Sequence, residues 1–146
     1  MRKFFTAVLL VTSAYSVAVM GQSSAPVPIL ADSIRWVSPA NIPGLRVAWV
    51  LGAEQKPGPY ILRVMLANGT RIPPHTHPDD RNTTVLSGTI YVGFGRTFDE
   101  SRLVAIPTGA VYVVPANVPH YILAKDGDAM YQEAGVAPTG TVMTAQ

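Results

Sequence analysis

The chain has 146 residues and is 48% hydrophobic, which is enough for one domain with a packed core. Its thirteen prolines and twelve glycines favour short segments joined by turns and argue against long helices. Without Arg2 and Lys3, which belong to the leader segment described next, nine basic and nine acidic side chains remain with no basic cluster, so we expect no nucleic-acid partner.

The N-terminus has the pattern of a secretory signal peptide. Arg2 and Lys3 precede an apolar run over residues 4–20, and a stretch of small and polar residues follows over 21–24. Hydroxyl side chains dilute the run and no basic stop-transfer cluster follows it, so we expect cleavage after Gly21 and no membrane contact afterwards. We predict a signal peptide over 1–21, an N-terminal arm over 22–33, one domain over 34–146, and a periplasmic or secreted protein.

Short runs rich in β-branched and aromatic residues follow the arm, and pairs such as Asn68 with Gly69 or Asp126 with Gly127 separate them as turns do. This spacing predicts an all-β sandwich or barrel. The predicted strands are 34–37, 45–51, 60–66, 83–86, 89–94, 103–106, 111–114, 120–124 and 129–133. One helical turn is predicted over 97–102, with Thr97 as its cap and Glu100 completing a capping box. With no cysteine, the chain cannot form a disulfide.

The three histidines of the chain are the candidate metal ligands. His75 and His77 lie in a segment with three prolines, which favours extended backbone, and residues i and i+2 of a strand point to the same side. His120 begins a predicted strand on which Ile122 and Ala124, on the same face, are apolar. Imidazole is the commonest protein ligand of transition metals, so the question is whether the third histidine meets the pair.

The spacing of glycines and histidines resembles the two cupin motifs. The first is carried by Gly69, five residues, His75, one residue, His77, three residues, Arg81, six residues and Gly88. Arg81 stands where the motif usually has glutamate.

The second motif is carried by Gly109, five residues, Pro115, one residue, Asn117, two residues and His120. Asn117 replaces a glycine of the motif, and Ala124 stands where an asparagine is frequent. The resemblance extends from about residue 60 to residue 133 and is closest to small single-domain cupins with an export signal. It implies an antiparallel jelly-roll barrel, also called a double-stranded β-helix.

The resemblance further implies that His75, His77 and His120 bind one divalent transition metal inside the barrel. Imidazole ligands suit iron, zinc, copper and nickel alike and do not choose among them. The resemblance also implies a homodimer. Cupins without metal exist, so a metal-free structural cupin acting as a dimer is an alternative.

Arg81 changes the expected electrostatics, because a guanidinium cannot coordinate a metal. If it points inward, the site carries a strong positive charge, favours a small anion and makes Arg81 a substrate-binding residue. The alternative is that Arg81 turns outward and pairs with an acidic residue of the rim. The candidate rim partners are Asp79, Asp80 and Asp99. A different group could then complete the metal site; the candidates are Asp79, Asp80, Glu133, Gln132 and water.

The leading functional hypothesis is an exported metal-binding cupin that acts on a small anionic metabolite, in the manner of a dioxygenase. Three-histidine iron sites occur in the cupin superfamily among thiol and diketone dioxygenases, so the missing glutamate does not exclude activity. The alternative is a non-catalytic periplasmic module that binds a metal or a metabolite.

Overall fold

The computed structural model describes residues 27–144, which form ten β-strands and two single-turn 3-10 helices. The helices are Ala31–Ser33 and Glu100–Arg102. The strands are β1 (Leu45–Ala53), β2 (Lys56–Leu66), β3 (Arg71–Thr76), β4 (Arg81–Ser87), β5 (Thr89–Phe94), β6 (Val104–Pro107), β7 (Val111–Val114), β8 (His120–Leu123), β9 (Ala129–Ala137) and β10 (Val142–Met143).

The strands form two antiparallel five-stranded sheets that pack face to face. Their orders are β1-β2-β9-β4-β7 and β10-β3-β8-β5-β6. In the first sheet β9 lies between β2 and β4, and in the second β8 lies between β3 and β5, so the chain passes repeatedly from one sheet to the other. This is the jelly-roll arrangement, and it confirms the predicted fold.

Alternation of side chains along the strands places the core between the sheets. On β2, Tyr60, Leu62 and Val64 are buried, whereas the residues between them are only partly so. Such alternation is the pattern of strands with one face in the core and the other toward solvent. Facing residues complete the core from both sheets; they include Val85, Ile90, Val92, Ile122 and Tyr131.

Gly93 is required by a close approach between neighbouring strands. It lies opposite Tyr121 in the β5–β8 pair, and a Cβ atom added to Gly93 would lie 2.2 Å from the Tyr121 ring. That ring is fully buried, tilts against Phe98 with centroids 4.8 Å apart, and donates a hydrogen bond from its hydroxyl to the Asp99 carbonyl at 3.1 Å. The ring therefore has little freedom to move away.

Three local predictions need correction. The strand predicted over 34–37 is wrong, because only Val37 pairs with the sheet, through a bridge to Val47, and Pro39 then lacks the N–H that would extend it. The turn over 97–102 is shorter than predicted and is capped by Asp99, whose carboxylate accepts from the Ser101 amide at 3.0 Å. The predicted strands also lack β10, which is two residues long and carries no periodicity, and β3, whose two prolines predict extended backbone without marking a paired strand.

The predicted signal peptide lies outside the described residues, and so does the first part of the predicted arm. Within residues 27–144, no helix reaches the length and apolar character that crossing a bilayer requires.

Replacing Gly93 with alanine should lower the free energy of unfolding by about 1–3 kcal/mol, because the added methyl group overpacks a buried ring. Urea denaturation followed by far-UV circular dichroism measures this. The matched control is Gly140→Ala, where the added Cβ would meet only the Glu54 carboxylate at an ordinary 3.5 Å. Equal losses in the two variants would contradict the packing explanation.

Candidate metal centre

The pairing of strands β3 and β8 brings the three histidines together. His75 lies on β3 and His120 begins β8, and these strands pair so that the two residues are direct cross-strand neighbours. His77 follows His75 by two residues and projects to the same side, as its spacing predicts. All three are buried, with at most 4% of their surface exposed.

The imidazole rings are close enough to share one ion. One nitrogen from each ring can be chosen so that all three lie within 4.8 Å of one another. Ring centroids are 4.2 Å apart for His75 and His120, 4.9 Å for His75 and His77, and 5.1 Å for His77 and His120. The convergence that the sequence left open is therefore present in the fold.

The hydrogen bonds of the rings indicate which nitrogen faces the site. Each Nδ1 lies near a backbone carbonyl, which can only accept, so Nδ1 carries the proton and Nε2 keeps its lone pair. The Nε2 atoms of His77 and His120 are buried without any partner among the described atoms. Neutral imidazoles oriented in this way fit the requirements of a transition-metal ion. The Nδ1 contacts are His75 to Pro73 at 2.7 Å, His77 to Gly140 at 2.8 Å and His120 to Val118 at 3.1 Å.

Burial also keeps the rings neutral. It lowers the pKa of His75 to about 4, with a smaller contribution from His120. It lowers the pKa of His77 to about 3, with the charge of Arg81 as the next cause. Burial likewise lowers the pKa of His120. All three are then in the metal-binding form at neutral pH.

Arg81 points inward and is held by an ion pair inside the barrel. It is 3% exposed, and its Nη1 donates to Glu133 Oε2 at 2.7 Å. Its Nη2 donates to Thr139 Oγ1 at 2.8 Å and to the Gly140 carbonyl at 3.2 Å. The Nε atom lies 3.6 Å from Asp79 Oδ1. The guanidinium therefore faces the interior and not the rim.

The predicted strong positive charge of the site is balanced by carboxylates. Glu133 is 3% exposed and pairs directly with Arg81, and Asp79 lies close by. Burial alone would lower the pKa of Arg81, but nearby acidic groups, led by Glu133, raise it above its usual range. Burial raises the pKa of Glu133, and Arg81 opposes this effect.

The other fourth-ligand candidates point elsewhere. Gln132 faces outward and accepts from Arg63 Nε at 3.2 Å, which resolves the side-chain direction left open between Gln132 and Glu133. Asp80 accepts from the Ala116 amide at 2.7 Å. Within residues 27–144, the group of side chains able to hold a metal together consists of the three histidines alone.

Two cavities share lining residues, and one of them lies beside His75 and His77. The inner one, about 100 Å³, is lined by His75, His77, Arg81 and Glu133 together with apolar side chains such as Val64. The outer one, about 320 Å³, is lined mainly by apolar residues and opens between the segment before β1 and the segment around β10. Seven residues line both cavities: Ile42, Leu45, Val47, Leu62, Arg81, Thr141 and Met143.

Comparison with known proteins agrees with this architecture. A family model described as a cupin domain matches residues 62–132, the part that contains all three histidines. The chain belongs to the cupin superfamily. Germin-like protein 5-1 of Oryza sativa subsp. japonica is 34% identical over 110 residues, which are 72% of this chain and 44% of that protein. The chain thus spans less than half of this relative.

Solved structures share the fold at low identity. The polyketide cyclase RemF from Streptomyces resistomycificus superposes with a TM-score of 0.69 at 12% identity, covering 84% of this chain and 87% of that one. KdgF from Halomonas sp. superposes with a TM-score of 0.60 at 20% identity, covering 74% and 92%. At these identities the likeness shows the fold alone.

The two members of the buried ion pair should be energetically coupled, so that the losses of stability on removing them are not additive. Glu133→Leu leaves the buried guanidinium without its main partner, and we expect the free energy of unfolding to fall by about 3–5 kcal/mol. The double variant Arg81→Leu with Glu133→Leu should lose less than the sum of the single variants. Urea denaturation of the metal-free protein measures both. The outward-facing neighbour provides the control, Gln132→Leu, and additive losses at the pair would contradict its coupling.

The metal-free protein should lose stability as the pH falls from about 7 to about 4. The folded-state pKa values of His75 and His77 are below the unfolded value of about 6.5, so the unfolded chain binds more protons in this window. Each such histidine contributes a slope of up to about 1.4 kcal/mol per pH unit. Urea denaturation at several pH values across this range measures the free energy of unfolding, and its slope against pH should be smaller for His77→Gln than for the wild type. An unchanged slope would contradict the lowered pKa of His77.

Proposed function

We propose that the protein is an exported cupin that binds one divalent transition metal through the Nε2 atoms of His75, His77 and His120. The observation that carries this proposal is the meeting of three neutral, buried imidazoles whose Nδ1 protons are already committed to carbonyls. Unpartnered Nε2 atoms are costly in a buried site unless something binds them, which favours a metal centre over a metal-free structural role. Export to the periplasm or outside the cell and a homodimer stay predictions.

We further propose that a small organic acid binds beside the metal and is converted by a dioxygenase-like reaction. A divalent ion held by three histidines supplies Lewis acidity toward an oxygen atom of the substrate, and redox chemistry if the ion is iron or copper. The inner cavity has mainly apolar walls, and polar interactions are stronger in surroundings of low polarity.

The proposed role of Arg81 is to attract the acidic group of the substrate. Arg81 lines both cavities, so a ligand in either cavity lies near its charge. Because Glu133 already accepts from Nη1, the attraction is weaker than that of an unpaired guanidinium. The rest of the lining is largely apolar, including Ile42, Trp49 and Met143, and this favours an acid with an alkyl or aryl body.

The same ion pair favours the alternative function, a binding module without catalysis. Arg81 and Glu133 are the charged side chains that line the inner cavity, and each is committed to the other. A group that stays in an ion pair is a poor proton donor or acceptor for a substrate. If the protein binds both a metal and a ligand but does not convert the ligand, the result would agree with the non-catalytic binding module.

The metal proposal predicts one divalent ion per chain in protein purified without a histidine tag. Metal analysis after parallel aerobic and anaerobic preparation measures this, and X-ray absorption should show imidazole ligation. The chain has three histidines, so any imidazole ligand comes from the proposed set. Each single His→Ala variant should lose most of the metal, whereas Asn82→Ala, an exposed neighbour of Arg81, should keep it. Substoichiometric metal in both preparations would contradict the proposal.

The ligand proposal predicts that metal-loaded protein binds longer alkanoates more tightly. From acetate to hexanoate, we expect the Kd to fall about fourfold per added methylene, which corresponds to about 0.8 kcal/mol each. Trp49→Ala should reduce this dependence because Trp49 lines the outer cavity, and Trp36→Ala should not. Calorimetry measures the Kd values. A Kd that does not change with chain length would limit the ligand to the inner cavity.

Oxygen uptake by iron-loaded protein separates the two functions. A panel of keto acids and diketones should give uptake above that of the His120→Ala variant if the protein is a dioxygenase. Binding without uptake across the panel would favour the non-catalytic module.

A further inference from the structure

The segment of residues 138–144, here called the C-terminal strap, crosses the site after β9. Its β10 strand pairs with β3, so that Met143 lies opposite His75. Beyond β10, the amide and the hydroxyl of Thr144 both donate to the Pro74 carbonyl, at 3.0 Å and 2.9 Å. The strap also supplies Thr141 and Met143 to both cavities. It therefore forms a wall of the site and contacts the strand that carries the first histidine.

His77 differs from the other two histidines in what orients it. The Nδ1 atoms of His75 and His120 bond carbonyls only two residues earlier in their own segments. His77 instead bonds the Gly140 carbonyl at 2.8 Å, 63 residues away, and Thr141 Oγ1 lies 3.4 Å from the same nitrogen. The tautomer of His77 thus depends on where the strap lies.

Thr139 holds the strap at this point. It is 5% exposed, and its hydroxyl accepts from Arg81 Nη2 at 2.8 Å and donates to the Asp79 carboxylate. Its backbone is fixed as well, since the Thr139 amide donates to the Glu54 carbonyl at 2.8 Å and the carbonyl accepts from Gln55 Nε2 at 3.2 Å. A hydroxyl can accept and donate at once, which a methyl group of the same size cannot do.

We infer that Thr139 is a positioning residue that seats the strap so that the Gly140 carbonyl fixes His77 with its proton on Nδ1 and its Nε2 free. The inference rests on the proposed function, because the orientation of His77 matters for metal binding. The hydrogen bonds from which it is argued are those of the metal-free protein. Carbonyl partners of metal-binding histidines orient the ring and set its tautomer, and their loss typically weakens metal binding about 10–100-fold.

The test compares Thr139→Val, which keeps the shape but removes the hydroxyl, with Thr139→Ser, which keeps the hydroxyl. Nitrogen-15 chemical shifts of the imidazoles report the tautomer in the metal-free protein at neutral pH, and three histidines give few signals to assign. Thr139→Val should shift the His77 nitrogens toward a mixture of tautomers and leave His75 and His120 unchanged. Competition titration with Zn²⁺ should show about tenfold weaker binding. Thr139→Ser should restore both properties.

Thr144→Val is the matched control, because it removes another side-chain hydroxyl that anchors the strap, at the end away from His77. Unchanged His77 shifts in Thr139→Val, or equal shifts in all three histidines, would overturn the inference. Tautomer changes in Thr139→Val with no Zn²⁺ binding by the wild type would support the positioning role and count against the proposed metal site. If Thr139→Val does not fold, the wild type decides: a nuclear Overhauser effect between the His77 Nδ1 proton and Thr141 is expected, and its absence would overturn the inference.

Discussion

The ion pair between Arg81 and Glu133 is the contact on which the interior of this barrel depends. Neither charge could be buried alone without a large cost in solvation, and the two come from β4 and β9, adjacent strands of one sheet. Arg81 occupies the position where the cupin motif usually has a metal-binding glutamate, and Glu133 supplies a carboxylate from another strand. The interior of the barrel therefore still contains a carboxylate, but this carboxylate forms an ion pair with the Arg81 guanidinium.

This pairing separates two tasks at the site. In the proposed site, metal binding would fall to three neutral imidazoles oriented by backbone carbonyls, whereas charge balance depends on a network in which Arg81 also contacts Thr139 and Asp79. Tyr60 extends the network by donating to Asp79 at 2.6 Å. A substrate would therefore meet a nearly balanced set of charges beside the metal and apolar walls in the cavities.

Local periodicity and motif spacing were sufficient to predict the jelly roll and the candidate histidines. His75 and His77 follow from extended backbone alone, whereas the position of His120 depended on the spacing of the second motif. The direction of Glu133 could not be predicted, because strand registers decide which of two adjacent side chains faces inward. The role of Gly140 could not be predicted from the sequence, because any residue provides a backbone carbonyl and the C-terminal strap shows no regular spacing of hydrophobic residues. The charge balance of the site could not be predicted either, because the pairing of Arg81 with Glu133 joins residues 52 positions apart in the sequence.

The burial of the three imidazoles has a consequence for competition between protons and a metal ion at the proposed site. A histidine site in solution must lose protons before a metal can bind, so its affinity falls as the medium becomes acidic. Here burial lowers the pKa of all three rings and outweighs the hydrogen bonds to carbonyls, which raise it, so the Nε2 atoms are free of protons at neutral pH. Metal uptake at the proposed site would then release few protons near neutral pH, and the bound metal would be retained through moderate acidification.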